Sequence, residues 1–178
     1  MIKSIIGKTE AGIMFDVSVT GWSLDKDLQI IQADVHMAVD DSLIIEEPLC
    51  VDVGLPAFLY SALHDTEPNR FAPANQWERM PFFVCGCGDP ECRGFSFVVR
   101  HLADERVELQ SVEERTNGTY RELETHIISS REYGKQVLAI GDTYLQYIKG
   151  LDYRPYFADT VKVVEELVNQ LHQQLRSE

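Results

Sequence analysis

Three cysteines lie within eight residues of one another and are the part of the sequence best suited to chemistry. Cys85, Cys87 and Cys92 form a C-x-C-x4-C cluster. Thiolates are ligands that zinc favours, and a structural zinc ion takes four nitrogen or sulfur ligands in a tetrahedron. The spacing therefore suggests a metal knuckle. A local disulfide, a redox site and structural free thiols remain open as alternatives.

The cluster supplies three ligands, whereas a closed zinc site needs a fourth. The candidates are Cys50, His64 and His101. Cys50 alternates with Leu49 and Val51, so its side chain should face away from their core side. Three cysteines and a water would instead describe a catalytic type of zinc site. The H-x-E…P-C-x-x-C signature of zinc deaminases is absent, and so is a second C-x2-C pair.

The residues around the cluster predict that it connects two strands. Strand-like apolar residues precede Cys85 and follow Cys92. The turn-forming residues of the segment are Gly86, Gly88, Asp89, Pro90 and Gly94. We therefore expect a tight connection in which the chain itself holds the three thiols close together.

This segment resembles one in a group of small bacterial proteins of unassigned function, in which apolar-apolar-x-Cys-x-Cys-Gly-x3-Cys-x-Gly precedes a strand. The matching residues are Phe83, Cys85, Cys87, Gly88, Cys92 and Gly94, followed by 95–100. The resemblance covers about a quarter of the chain, through the strand at Val107. Members often have a tryptophan near that strand, where this chain has Gln110 and Ser111. The resemblance implies a shared hairpin and carries no activity.

Several segments alternate apolar and polar residues with a period of two, which predicts strands with one buried face. They are 13–19, 31–39, 43–45 with 49–53, 107–112 and 120–128. Asn117-Gly118 between the last two indicates a hairpin. Gly21-Trp22 and Asp25-Lys26-Asp27 are predicted to form the turn between the first two strands.

Helices are predicted in three places. They cover 55–64, 130–149 and about 158–175. Pro56 suits the first turn of the first helix, and Ser129 or Ser130 with Glu132 can cap the second. Between the first helix and the cysteines, 65–80 lacks a clean period and predicts a covering loop anchored by Phe71 and Trp77.

The order of these elements predicts an α+β fold with a mainly antiparallel sheet. A short helix and two C-terminal helices are expected to pack on one face of it. No repeat or linker divides the sequence, so residues 1–178 are expected to form one domain.

The charge balance bears on the choice of partner. Sixteen basic and 29 acidic residues give a net charge of −13. Such a chain repels nucleic acid and anionic membranes, so we expect neither as a partner and expect a basic protein instead. A purely solubilising role is the alternative. Without a membrane-spanning apolar run or a signal-peptide pattern, the sequence predicts a cytoplasmic protein.

Acidic residues and histidines share the polar side of the predicted strands. The candidate partner-binding residues are Asp16, Asp34, His36, Glu122, Glu124 and His126. Asp34 and His36 are two residues apart, hence roughly 6–7 Å apart on one strand face. That spacing allows both to act on one substrate, but it does not allow the direct hydrogen bond of a catalytic pair. A solvated polar face is the alternative.

These observations favour an acidic, non-enzymatic binding protein, of the kind represented by immunity proteins that mask the basic active site of a toxin. The sequence lacks the nucleophile-elbow, metalloprotease, Walker and dinucleotide-binding motifs. Two alternatives stay open. One is an enzyme that uses Cys85, Cys87 and Cys92 through zinc or redox chemistry, and the other is a structural zinc knuckle in a protein of another role.

Overall fold

The computed structural model describes residues 12–87, 89, 92 and 94–178. The strands are β1 (Phe15–Asp25), β2 (Ile30–Val39), β3 (Ser42–Cys50), β4 (Ser96–Leu102), β5 (Arg106–Glu114) and β6 (Tyr120–Ser129). The helices are α1 (Leu55–Ser61), α2 (Ser130–Ile148) and α3 (Thr160–Ser177), with a 3-10 helix at Ala74–Arg79. The predicted α+β class is confirmed.

The strands form two antiparallel sheets of three strands each, in the orders β1-β2-β3 and β4-β5-β6. Each sheet is a simple meander, since every strand pairs with its neighbour in sequence. Burial alternates along β2, as the period of two predicts. The alternation does not reveal that the strands divide into two sheets, because the same pattern arises in one sheet or in two.

Strand β1 runs through the Gly21-Trp22 pair, so the prediction of a turn there is wrong. The pairing register shifts at this point, which makes it a β-bulge. Gly21 has a φ of +64°, and a Cβ atom there would lie 2.9 Å from the Asp34 carboxylate. The positive φ favours glycine, and a larger residue would displace the Asp34 carboxylate. The chain turns at 26–29, which confirms the other part of the prediction, at 25–27.

Strand β3 is one continuous element, although Pro48 suggested an interruption. It lies at the edge of its sheet, where a residue without a backbone N–H can be tolerated. The loop before the cysteines also differs from expectation at one anchor. Phe71 is 59% exposed and is not an anchor, whereas Trp77 packs against the core with its ring 5.6 Å from that of Tyr60.

Helix α2 joins the two sheets, since it contacts β1, β5 and β6. It begins as predicted, with the Ser129 side chain accepting a hydrogen bond from the Glu132 N–H. The Gln136 side chain accepts from the Val17 N–H and donates to the Phe15 carbonyl, so it occupies the free edge of β1 as a strand would. No helix in the described residues is long and apolar enough to cross a membrane.

Candidate metal centre

Buried aromatic side chains anchor the segment that carries the cysteines. Phe82 and Phe83 are both 2% exposed and pack on Phe58 of α1. The Phe95 N–H donates to the Phe83 carbonyl at 2.9 Å and closes the loop at its base. The strand predicted before the cluster is therefore reduced to a single bridge, but the tight connection is present. Gly88 and Pro90 lie outside the described residues.

A second set of contacts ties the far side of the loop to its surroundings. The Arg70 guanidinium donates to the Cys92 carbonyl at 3.1 Å. Glu114 on β5 accepts from the Arg70 N–H at 3.0 Å and from the Ser96 hydroxyl at 2.6 Å. Gly94 is needed at the loop exit, because a Cβ atom there would lie 2.7 Å from the Phe83 carbonyl oxygen. The Glu114 carboxylate thus orients both Arg70, which contacts the loop, and Ser96 at the start of β4.

The sulfur atoms of Cys85, Cys87 and Cys92 all lie within 4.8 Å of one another. A tetrahedral zinc ion with bonds of about 2.3 Å to sulfur separates its ligands by about 3.8 Å. The three cysteines are therefore close enough to hold a metal ion, with only a small contraction. Cys87 is exposed and the other two are half-buried, so the site opens to the surface.

The three thiols share their protons unequally. The Asp89 backbone N–H, followed by the neighbouring thiols, lowers the pKa of Cys87. Burial, followed by hydrogen bonds to neighbouring thiols, raises the pKa of Cys85 to about 12 and that of Cys92 to about 11. Cys87 therefore loses its proton first. A bound divalent cation favours the thiolate at all three positions.

Cys50 lies beside this cluster at the end of β3. Its thiol is in hydrogen-bond contact with that of Cys85 and lies within electrostatic range of Cys92. Burial raises its pKa. Leu49 and Val51 are buried and Cys50 is half-buried, which confirms that Cys50 faces away from their core side.

The two candidate histidines have other contacts. The His101 Nε2 atom lies 2.9 Å from the Ser61 carbonyl oxygen. His64 stacks on Tyr60 with 4.3 Å between the ring centres. Of the three candidates for a fourth ligand, Cys50 is therefore favoured, because its thiol interacts with that of Cys85.

A buried polar network near Cys50 was not recognised from the sequence. Asp52 is only 2% exposed, and its Oδ2 atom accepts from the Tyr153 hydroxyl at 2.7 Å. The Tyr144 hydroxyl in turn donates to that of Tyr153 at 3.2 Å. Burial raises the pKa of Asp52, opposed by this hydrogen bond. In the sequence, Asp52 between two valines resembles the exposed position of an alternating strand, so its burial had no local signal.

His36 is the centre of the acidic residues on the open side of the first sheet. Its Nδ1 atom contacts the Glu46 carboxylate, and its Nε2 atom lies 3.5 Å from the Asp16 carboxylate. The contact with Glu46 raises the pKa of His36. Asp34 is exposed on the same strand face. Glu46 is not among the residues predicted for this face, because Pro48 suggested an interruption of its strand.

The acidic residues of β6 form a separate group. Glu124 accepts from the Ser42 hydroxyl at 2.7 Å and pairs with His126 at 3.0 Å. The hydrogen bond from Ser42, followed by that from His126, lowers the pKa of Glu124. Ser42 begins β3, so the two sheets meet here. Glu122 is exposed on β6. The role of these residues in partner binding stays a prediction.

The strand register relates the acidic face to the cysteines. It pairs His36, Asp34 and Gln32 on β2 with Glu46, Pro48 and Cys50 on β3. Alternate residues of a strand share one face, so Cys50 lies at the end of the face that carries His36 and Asp34. The Gln32 Nε2 atom lies 4.0 Å from the Cys50 sulfur.

These features define an α+β protein with a three-cysteine cluster at the end of an acidic sheet face. Comparisons with protein-family models, with curated proteins and with solved structures found no match. The resemblance of the hairpin to small bacterial proteins therefore stays a prediction.

Proposed function

We propose that this chain is a zinc-binding protein in which the metal ion has a structural role. The observation that supports this is the mutual approach of the Cys85, Cys87 and Cys92 sulfurs to within 4.8 Å. Clustered thiolates select soft or borderline metal ions, of which zinc is the usual structural one. The cysteines are free of disulfides. A reducing compartment such as the cytoplasm would preserve them as metal ligands.

The structural role is proposed because a metal ion would link side chains at both ends of one loop. The Phe83–Phe95 bridge closes that loop at its base, and the Arg70 guanidinium holds it at the Cys92 carbonyl. A metal ion bound by Cys85, Cys87 and Cys92 would cross-link the part of the loop between these two contacts. Metal-binding free energy then contributes directly to the stability of the fold.

The test is metal content together with stability. Protein purified under reducing conditions is expected to carry zinc in a one-to-one ratio, measured by elemental analysis and native mass spectrometry. Cys87→Ser should lower the zinc content and the Tm together, whereas the exposed control Ser18→Ala should change neither. A wild-type protein that contains no zinc, takes up none and keeps its Tm in chelator would contradict the proposal.

A second candidate function is binding of a basic protein by the acidic face, with an immunity-type inhibitor of a basic toxin or enzyme as its specific form. The observation that favours it is the group of Asp16, Glu46 and Asp34 around His36 on the open side of the first sheet. Such a surface would attract a basic partner and speed its approach, and buried contacts would then set the affinity.

Affinity capture from native lysate at low and moderate salt tests this second function. A stoichiometric basic protein released by salt is expected. Combined Asp16→Asn, Asp34→Asn and Glu46→Gln should slow its association and flatten the salt dependence. Combined Asp152→Asn, Asp159→Asn and Glu165→Gln changes the charge equally at exposed positions outside the sheets and is the control. Equal association rates for both triple variants would rule out this face.

A further inference from the structure

We propose that Cys50 is the fourth ligand and that it closes a tetrathiolate site between the end of β3 and the cysteine loop. This inference rests on the proposed metal site at Cys85, Cys87 and Cys92, and it adds a ligand from a distant part of the chain. It also specifies the coordination, because four thiolates leave no position for water or substrate on a tetrahedral ion.

The placement of Cys50 is the first argument. The loop packs on the segment that follows β3, because a Cβ atom on Gly86, next to Cys85, would lie 3.0 Å from the Val53 side chain. The Cys50 and Cys85 thiols interact in this arrangement. The backbone next to Cys50 is held by the sheet, since the Val51 N–H donates to the Ile31 carbonyl at 3.0 Å. A ligand at the end of a paired strand is a fixed point toward which the loop can close.

The distances define what closure requires. The three loop sulfurs make one face of a tetrahedron, within 4.8 Å of one another, and Cys50 lies outside that group on the side of Cys85. Binding of the ion must bring Cys50 closer to Cys87 and Cys92. Cys50 belongs to a paired strand whereas Cys87 is exposed, so we expect the approach to come from the side of Cys87.

The surroundings offset the charge of such a site. A divalent ion with four thiolates carries a net charge of −2, and hydrogen bonds from nearby donors stabilise thiolate ligands. The Cys87 and Asp89 backbone N–H groups donate to the Cys85 and Cys87 sulfurs. The Gln32 amide approaches Cys50, and the Arg70 guanidinium lies at the Cys92 carbonyl. Cys50, Cys85 and Cys87 therefore each have a hydrogen-bond donor that favours the thiolate, and Arg70 brings a positive charge to the backbone of Cys92.

Cobalt substitution of the metal-free full-length chain tests the assignment, because the intensity of thiolate-to-cobalt charge transfer grows with the number of thiolates. The wild type should give a tetrahedral four-thiolate spectrum. Cys50→Ser should lose about a quarter of the charge-transfer intensity, shift the visible bands and bind cobalt at least tenfold more weakly. Pro48→Ala, two residues away on the same strand face, should retain the wild-type spectrum.

The outcomes separate the two proposals. Failure of the wild type to bind cobalt or zinc overturns the metal site as a whole. Binding with the same spectrum in wild type and Cys50→Ser overturns only the role of Cys50. X-ray absorption at the zinc edge of the wild type keeps the test independent of how the variant folds. Four sulfur neighbours at about 2.3 Å are expected, and three sulfurs with one lighter atom would overturn the assignment.

Discussion

The cysteine loop and the acidic face of β1-β2-β3 both gather ionisable side chains, yet the two regions differ in how those groups are neutralised. On the acidic face, His36 contacts the carboxylates of both Asp16 and Glu46, so opposite charges meet within the protein. In the loop, the thiols of Cys85, Cys87 and Cys92 interact with one another, and Cys85 interacts with Cys50, so groups of the same kind meet. Clustering of ionisable side chains alone therefore does not indicate a bound metal ion. A cluster of like groups does so more strongly, because only an added cation lets all of them ionise.

Of the changes considered for the two regions, removal of the metal from the cysteine loop should have the largest effect on stability. Chelation of wild-type protein is expected to lower the free energy of unfolding by about 3 kcal/mol, the size typical of a cross-link that closes a long loop. Denaturant unfolding with and without chelator measures the loss. The Cys87→Ser variant is the control, since chelator should leave its stability unchanged.

Metal affinity should depend steeply on pH. Cys85 and Cys92 hold protons with pKa values of about 12 and about 11, and both must be released when the ion binds. Affinity should therefore rise with pH below these values, by about 100-fold per unit if two protons leave and by about 1000-fold if Cys50, whose pKa is also raised, releases a third. Calorimetry in buffers of different ionisation enthalpy counts the protons. A pH-independent affinity would show that the thiols are not the ligands.

The Asp52→Asn variant should reveal a pH dependence of stability opposite in sign to that of a surface carboxylate whose pKa is lowered by folding. Because burial raises the folded pKa of Asp52, the wild type has its full stability below the unfolded pKa and loses part of it as pH rises through the folded value. The asparagine variant lacks this loss and can still accept from Tyr153. It should gain about 1 kcal/mol relative to wild type between acid and neutral pH.

Thermal or denaturant unfolding at several pH values measures the difference. Tyr153→Phe is the matched variant, because it removes the donor that stabilises the ionised carboxylate. Its destabilisation should increase toward neutral pH. A difference between Asp52→Asn and wild type that stays constant with pH would contradict the burial of a titrating carboxylate.

The smallest effect is expected on the acidic face. The raised pKa of His36 means that its contribution to stability is present below its unfolded pKa and is lost as pH rises through the folded value. Glu46→Gln should move the His36 pKa downward, as followed by NMR, and change stability by less than about 0.5 kcal/mol because the pair is solvent-exposed. Asp41→Asn, an exposed turn residue, should leave this pKa unchanged.

Local patterns predicted the elements whose causes are local. The Ser129–Glu132 cap and the Asn117-Gly118 hairpin act over a few residues, and both lie where the sequence indicated. The Gly21 bulge was missed because it is defined by the pairing register with the next strand. The burial of Asp52 was missed for the same kind of reason, since its partner Tyr153 lies about a hundred residues away.

The sequence by itself determined the α+β class and the proximity of Cys85, Cys87 and Cys92, because a short loop closed at its base leaves its side chains little room to separate. It also determined the strong negative charge. Only the tertiary structure decided that Cys50 lies at this loop and that the cysteines adjoin the face around His36. These relations depend on how β3 and the aromatic residues before the loop pack together. Packing of distant segments is set by the whole core, so no local spacing encodes it.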